Sequence, residues 1–129
     1  TFWSTWSPLS QIQIPELDGF ARREEIILSE TTVEELEKAT QQKKESAEQT
    51  ATQVLLLSMH QSEGIIETYL KRGKYNIPSI IDRQGNLAEL YPVLTFPQHF
   101  FLDKKGIVRD IYVGFLNEEE LRTRVGRME

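Results

Sequence analysis

The 129-residue chain sets 15 Lys and Arg against 20 Asp and Glu, a formal net charge of -5, with 39% hydrophobic and 27% charged residues. That is the size and mix of one soluble domain with one core, and the acidic balance argues against a nucleic-acid or anionic-membrane binder, which needs a basic face. No apolar run approaches the roughly 20 residues that span a bilayer, no signal-peptide pattern opens the chain, and any export signal is expected to have been removed. Cysteine is absent, which excludes disulfides, thiolate metal sites and thiol catalysis.

Thr1 to Trp6 reads as the end of a buried strand, aromatic and β-branched, and a strand opening at residue 1 looks cut. Ser7-Pro8 starts a helix, with a hydroxyl able to cap a free amide and a proline where no amide is needed. Ile12, Pro15, Leu17 and Phe20 continue it, with a kink expected at Pro15. From Arg22 to Thr50 the chain turns polar, with a capping box at Thr32 to Glu35 and a thin apolar line at Val33, Leu36 and Ala39. We read residues 22-50 as a solvated helical insertion in a single domain spanning 1-129, with residues 32-50 the most mobile or exposed part.

The run Val54-Leu55-Leu56-Leu57 suits a strand covered on both faces. A helix capped by Ser62 follows, with a stripe of Ile65, Ile66, Tyr69 and Leu70, ended by Lys71-Arg72-Gly73. Ser79-Ile80-Ile81 predicts a short strand, Asp82 to Gly85 a turn, and Leu87 to Tyr91 one or two helical turns. Gln98-Leu102 and Ile107-Val113 form an antiparallel hairpin across Asp103-Lys104-Lys105-Gly106, and Asn117-Glu118-Glu119-Glu120 opens a last helix. The order of elements is α/β, a mixed central sheet with helices on both faces, and it predicts that Phe2-Trp6 and Val54-Ser58 run parallel.

Four local matches, in order, resemble the TlpA/ResA branch of thioredoxin-fold thiol-disulfide oxidoreductases over most of the chain outside residues 22-50. Phe2-Trp3-Ser4-Thr5-Trp6-Ser7-Pro8-Leu9-Ser10 is similar to the family's FW-[AS]-x-W-C-x-x-C, with Ser7 and Ser10 at the cysteine positions. Pro15 and Leu17 fall as in the family's ExPxL element, with Gln13 at the Glu position. Tyr91 to Pro97 resembles Y-x-V-x-x-x-P, and Phe100 to Val108 with Gly114 resembles the FLID-xx-G-x-I hairpin. The resemblance implies a thioredoxin-like fold, a cis Phe96-Pro97 bond, catalytic positions at Ser7, Ser10 and Gln13, and a substrate-facing groove at Trp6, Pro8, Phe96 and Pro97. It implies a protein thiol or disulfide client, or an electron-donor protein, as partner. It also implies an extracytoplasmic location, with a membrane tether supplied by a missing N-terminal segment.

Dithiol exchange needs a thiolate, stabilised at a helix N-terminus, that attacks, and a second cysteine that resolves. A serine alkoxide is too basic for a helix end to populate and forms no disulfide, so this chain is inactive in that reaction. Hydrolysis by either serine lacks a G-x-S-x-G elbow, and only His60 and His99 could act as bases. The histidines lie far apart with no paired carboxylate motif, so no metal or cofactor is called for. His99, in a strand, reads as a packed, hydrogen-bonded residue, and at least one of Trp3 and Trp6 as core. Two histories fit the serines. Both cysteines of an exported oxidoreductase have been replaced by the isosteric residue, or the chain is a naturally redox-silent module that binds a partner through the groove around Ser7 and Pro97. Intact surroundings favour the first, and Gln13, an amide where the family moves protons with a carboxyl, favours the second.

Overall fold

The computed structural model describes residues 1-30 and 52-128. Five strands form one sheet in the order β3-β2-β1-β4-β5, built from β1 (Phe2-Trp3), β2 (Leu56-Met59), β3 (Ser79-Asp82), β4 (Gln98-Leu102) and β5 (Val108-Val113). The helices are α1 (Pro8-Glu30), α2 (Glu63-Arg72), α3 (Asn86-Leu90) and α4 (Glu118-Gly126). β1 runs parallel to β2 with Phe2 opposite Leu57 and Trp3 opposite Ser58, and β2 runs parallel to β3. β4 is antiparallel to both β1 and β5. The mixed α/β sheet expected from the sequence is therefore present, with a parallel half and a hairpin half.

Successive strand residues face opposite sides of a sheet, and β1 shows what covers each. Trp3 packs on Tyr69 of α2 and joins Ile14, Leu17, Ile66, Phe101 and Leu121 in the main core, so α1, α2 and α4 share that side. Phe2 faces the other side, edge-on to Phe100 at 5.6 Å and near Tyr91 at 6.2 Å, just beyond α3. Helices thus lie on both faces, and among the described residues the second carries a five-residue helix with no buried residue.

β1 and β2 are shorter than the apolar runs that predict them. β1 ends at Trp3 because the amides of Ser4 and Thr5 turn to side chains, Ser10 Oγ at 3.2 Å and Gln61 Oε1 at 3.2 Å, instead of a neighbouring strand. β2 starts at Leu56, whose amide bonds Pro78 O, while Leu55 is exposed. Of the α2 stripe only Ile66 is buried, and Ile65 points to solvent. Gly73 caps α2 in a right-handed conformation, so its lack of a side chain serves another purpose: a Cβ there would run into the Tyr75 ring.

Residues 22-30 continue α1 without a break past Pro15 to Glu30. Arg22 pairs with Asp18 at 2.6 Å and donates to Lys74 O, and Arg23 pairs with Glu118. The polar segment therefore does not depart from the domain at residue 22. The capping box at Thr32 and the exposure expected of residues 32-50 lie outside the described residues.

Candidate functional site

The site is built where β1 ends and α1 begins. Ser7 is the N-cap of α1: its carbonyl accepts the first helical bond from Gln11, and its Oγ accepts from the amide of Ser10 at 3.3 Å. The same Oγ donates to Phe96 O at 3.2 Å, tying the helix start to the loop before β4. Ser10 Oγ accepts from the amide of Ser4. Both hydroxyls are thus spoken for. Ser7 is only 6% exposed and Ser10 fully buried. The physical reason is the Phe96 loop, which closes over the N-cap.

The Phe96-Pro97 peptide bond is cis. Of the four residues expected to face a substrate, Trp6 is 68% exposed, Pro8 is exposed and Phe96 is half-buried against Trp6 with ring centroids 5.9 Å apart. Pro97 is fully buried and offers no surface of its own, a correction to its expected substrate-facing place. Gln61 and Gln11 clamp the loop between: Gln61 Nε2 donates to Thr5 Oγ1 at 2.6 Å, and Gln11 Nε2 to Thr5 O at 2.8 Å.

Gln13 lies one turn below Ser10 and is fully buried. Its Nε2 donates to Leu116 O at 2.8 Å and its Oε1 accepts from Leu116 N at 2.8 Å, a closed amide-to-backbone pair joining α1 to the segment before α4. Oε1 also lies 3.2 Å from His99 Nε2, which is 3.1 Å from Gly114 O. Two acceptors at Nε2 require the proton there, leaving Nδ1 to accept from Thr1 Oγ1 at 2.9 Å. His99 is the packed, bonded strand histidine the sequence predicts. That its partner is Gln13 was not legible, because the two are brought together only by the fold.

Burial, above the other causes, pushes the His99 pKa down to about 3. An unfolded imidazole takes a proton near pH 6.5, so between pH 6.5 and 3 the unfolded state binds more protons, and stability that is whole above this window is lost as pH falls through it. We expect the unfolding free energy to drop by about 2 kcal/mol between pH 7 and pH 5. Urea titrations of the chain and of His99→Gln at the two pH values check this. Equal losses in both proteins would show that His99 is not held neutral.

Sequence reasoning missed Leu9 and Ile12, 47% and 52% exposed on the first turns of α1, and Leu94, 82% exposed in the loop that carries Phe96. Their signal was an absence of charge: Thr1 to Pro15 contains no Asp, Glu, Lys or Arg, and neither does Leu90 to Leu102.

A capped helix start after a parallel strand, packed against a cis-proline loop, is the arrangement of a thioredoxin-like protein, here of the TlpA/ResA kind. The chain belongs to the AhpC/TSA family, whose model matches residues 29-111, a span that leaves out Ser7, Ser10 and Gln13. It is 23% identical over 123 residues to sporulation thiol-disulfide oxidoreductase A of Bacillus subtilis, covering 94% of this chain and 61% of that protein. The chain therefore spans about three fifths of the length of this curated relative. The crystal structure of StoA from Bacillus subtilis superposes with a TM-score of 0.70 at 20% identity, covering 95% of this chain and 76% of that one. The pneumococcal exposed lipoprotein thioredoxin Etrx1 from Streptococcus pneumoniae TIGR4 does so at 0.68 and 22%, covering 98% and 80%. At these identities the likeness to the solved structures is one of fold.

Proposed function

We propose that this chain is a redox-silent thioredoxin-fold module that binds a partner protein without covalent exchange, through the surface around Ser7 and Pro97. The observation that carries the reading is the closed Gln13-Leu116-His99 network. It needs one side chain that both donates and accepts at fixed positions, which an amide does and an ionised carboxylate cannot. With Gln13 in place the interior under the helix start holds a group that moves no proton, and Ser7 and Ser10 hold hydroxyls that form no disulfide. The relative's name, a thiol-disulfide oxidoreductase, points to a protein client. An extracytoplasmic location, with tethering to a membrane, rests on the family resemblance and on the lipoprotein among the structural neighbours.

A second reading has one observation in its favour. Residues 7 and 10 stand at the N-cap and third helical position, where a cysteine pair would be competent, so the parent form would be a thiol-disulfide oxidoreductase with cysteines at both places.

The test of the first reading is a photo-reactive residue placed at Leu9 or, as a remote control, at Lys105, followed by irradiation with native extract. Adducts are expected at position 9 and not at 105, and they should vanish when Trp6→Ala is added. Adducts of equal yield at both positions, or surviving Trp6→Ala, would overturn it.

A further inference from the structure

Trp6 is 68% exposed and its ring meets Phe96 edge-on, so packing alone does little to fix it. What fixes the chain just before it comes from the loop after β2. Beyond Trp3 the backbone leaves the sheet, and each polar group of Thr5 then goes to a glutamine side chain. The Thr5 amide donates to Gln61 Oε1 at 3.2 Å, Thr5 Oγ1 accepts from Gln61 Nε2 at 2.6 Å, and Thr5 O accepts from Gln11 Nε2 at 2.8 Å. Ser4 Oγ adds a longer bond to Gln61 Oε1 at 3.4 Å. Gln61 must donate and accept at once, which a neutral amide does.

Gln61 is itself held in place. β1 and β2 are parallel neighbours, so the residues that follow each strand emerge at the same end of the sheet. The chain leaves β2 through His60, whose φ of 56° is left-handed and uncommon for a residue with a side chain. Such a conformation persists where its surroundings hold it. Here Gln61 follows at once with its bonds to Thr5, and Ser62 caps α2 by accepting from the amide of Ile65.

Resting on the reading of this end of the molecule as a partner site, we propose that Gln61 is a positioning residue, which acts through Thr5 to present Trp6 in one fixed orientation. A loop ordered beforehand leaves less to be ordered when a partner binds, so the clamp raises affinity without adding a contact. The strained turn at His60 is the part of the fold that brings the amide to Thr5.

Fluorotryptophan incorporated into the whole chain gives Trp3 and Trp6 separate fluorine NMR lines, and Trp3, fully buried, is the internal standard. In Gln61→Leu, close in size but without the amide, the Trp6 line is expected to broaden or split while the Trp3 line stays single, and the Thr5 amide to exchange with solvent about tenfold or more faster. Gln61→Ala gives the same test should the first variant fold poorly. Gln61→Glu is the rescue. Its carboxylate accepts from the Thr5 amide and the Ser4 hydroxyl, and from Thr5 Oγ1 once that hydroxyl turns to donate, so the Trp6 line should be single again and exchange slow. With the photo-reactive residue at position 9, the amount of native extract needed for half-maximal adduct should rise about threefold to tenfold in Gln61→Leu and return in Gln61→Glu. A merely structural role would lower the urea midpoint of Gln61→Leu and leave its Trp6 line single without urea. An unmoved Trp6 line in both Gln61→Leu and Gln61→Ala, a Gln61→Glu protein as loose as Gln61→Leu, or a loosened Trp6 with the half-maximal point unchanged would each overturn the proposal. Failure of the partner site itself shows separately, as adducts in the parent chain that depend neither on position 9 nor on Trp6, whatever the fluorine lines do.

Discussion

Replacing Ser7 and Ser10 together by cysteine is expected to create thiol-disulfide exchange where the parent chain has none. The two side chains share one helical turn, since the amide of Ser10 donates to Ser7 Oγ at 3.3 Å. Residues three apart on a helix bring their β-carbons to about 5-6 Å, close enough for a small adjustment to reach disulfide geometry. A thiolate at position 7 would be favoured by the free amides and the positive helix end. Against that, Phe96 O now accepts from Ser7 Oγ and would hold a thiol in its protonated form, and the site is buried. Position 10 is more deeply buried, so Cys at 7 attacks and Cys at 10 resolves. Gln13 supplies no proton, so turnover should lie about 100-fold or more below that of a site with a general base. Mass spectrometry and thiol counting after oxidation, then reduction of a model disulfide, check the expectation. If no intramolecular disulfide forms, the two positions are not a redox pair and the oxidoreductase parentage falls.

Periodicity and turn residues carried most of the fold. The hairpin was readable because Asp103 accepts from the amides of Lys105 and Ile107, the local bonding that an Asp-first, Gly-last turn implies, and Gly106 takes the left-handed conformation at φ 79°. The last helix was readable from Asn117 and Glu120, which form a reciprocal capping box. Strand lengths were not, because what ended β1 was a bond from Ser4 to a side chain six residues on, which no apolar pattern encodes. In the site, Trp6 and Trp3 could be divided into surface and core only by the fold. Pro97 read as groove from its neighbours in sequence, yet its burial depends on what packs over it from elsewhere in the chain. The burial of Ser7 likewise depends on Phe96, 89 residues away. Local chemistry is written in local sequence, and long-range closure is not.

Gln13→Leu is expected to cost about 3-5 kcal/mol, a large share of a domain's usual stability, because it strands Leu116 N-H and C=O in the interior at 1-3 kcal/mol each and takes one acceptor from His99. Leucine is close to glutamine in size, so the loss would come from unpaired polar groups and not from a cavity. Gln13→Glu separates this from simple intolerance at the position. A protonated carboxyl can donate to Leu116 O and accept from Leu116 N as the amide does, whereas an ionised one sets a charge against Leu116 O in a dry site. Its pKa when folded should therefore stand above the ordinary carboxylate range. A raised acid binds its proton more tightly in the folded state, so stability is whole below the unfolded value near pH 4.3 and is lost as pH rises through the folded value. Urea midpoints from pH 4.5 to 8 should show Gln13→Glu near the parent at the acid end and falling away from it toward neutrality, opposite in sign to the His99 effect. In the double-cysteine background the same carboxyl would exchange protons near neutral pH, so thiol-disulfide turnover should rise relative to Gln13 and acquire a pH dependence that follows the stability curve. A Gln13→Glu protein that tracks the parent at every pH would show that the carboxyl reaches water, and the closed amide pair with Leu116 would lose its place in the functional reading.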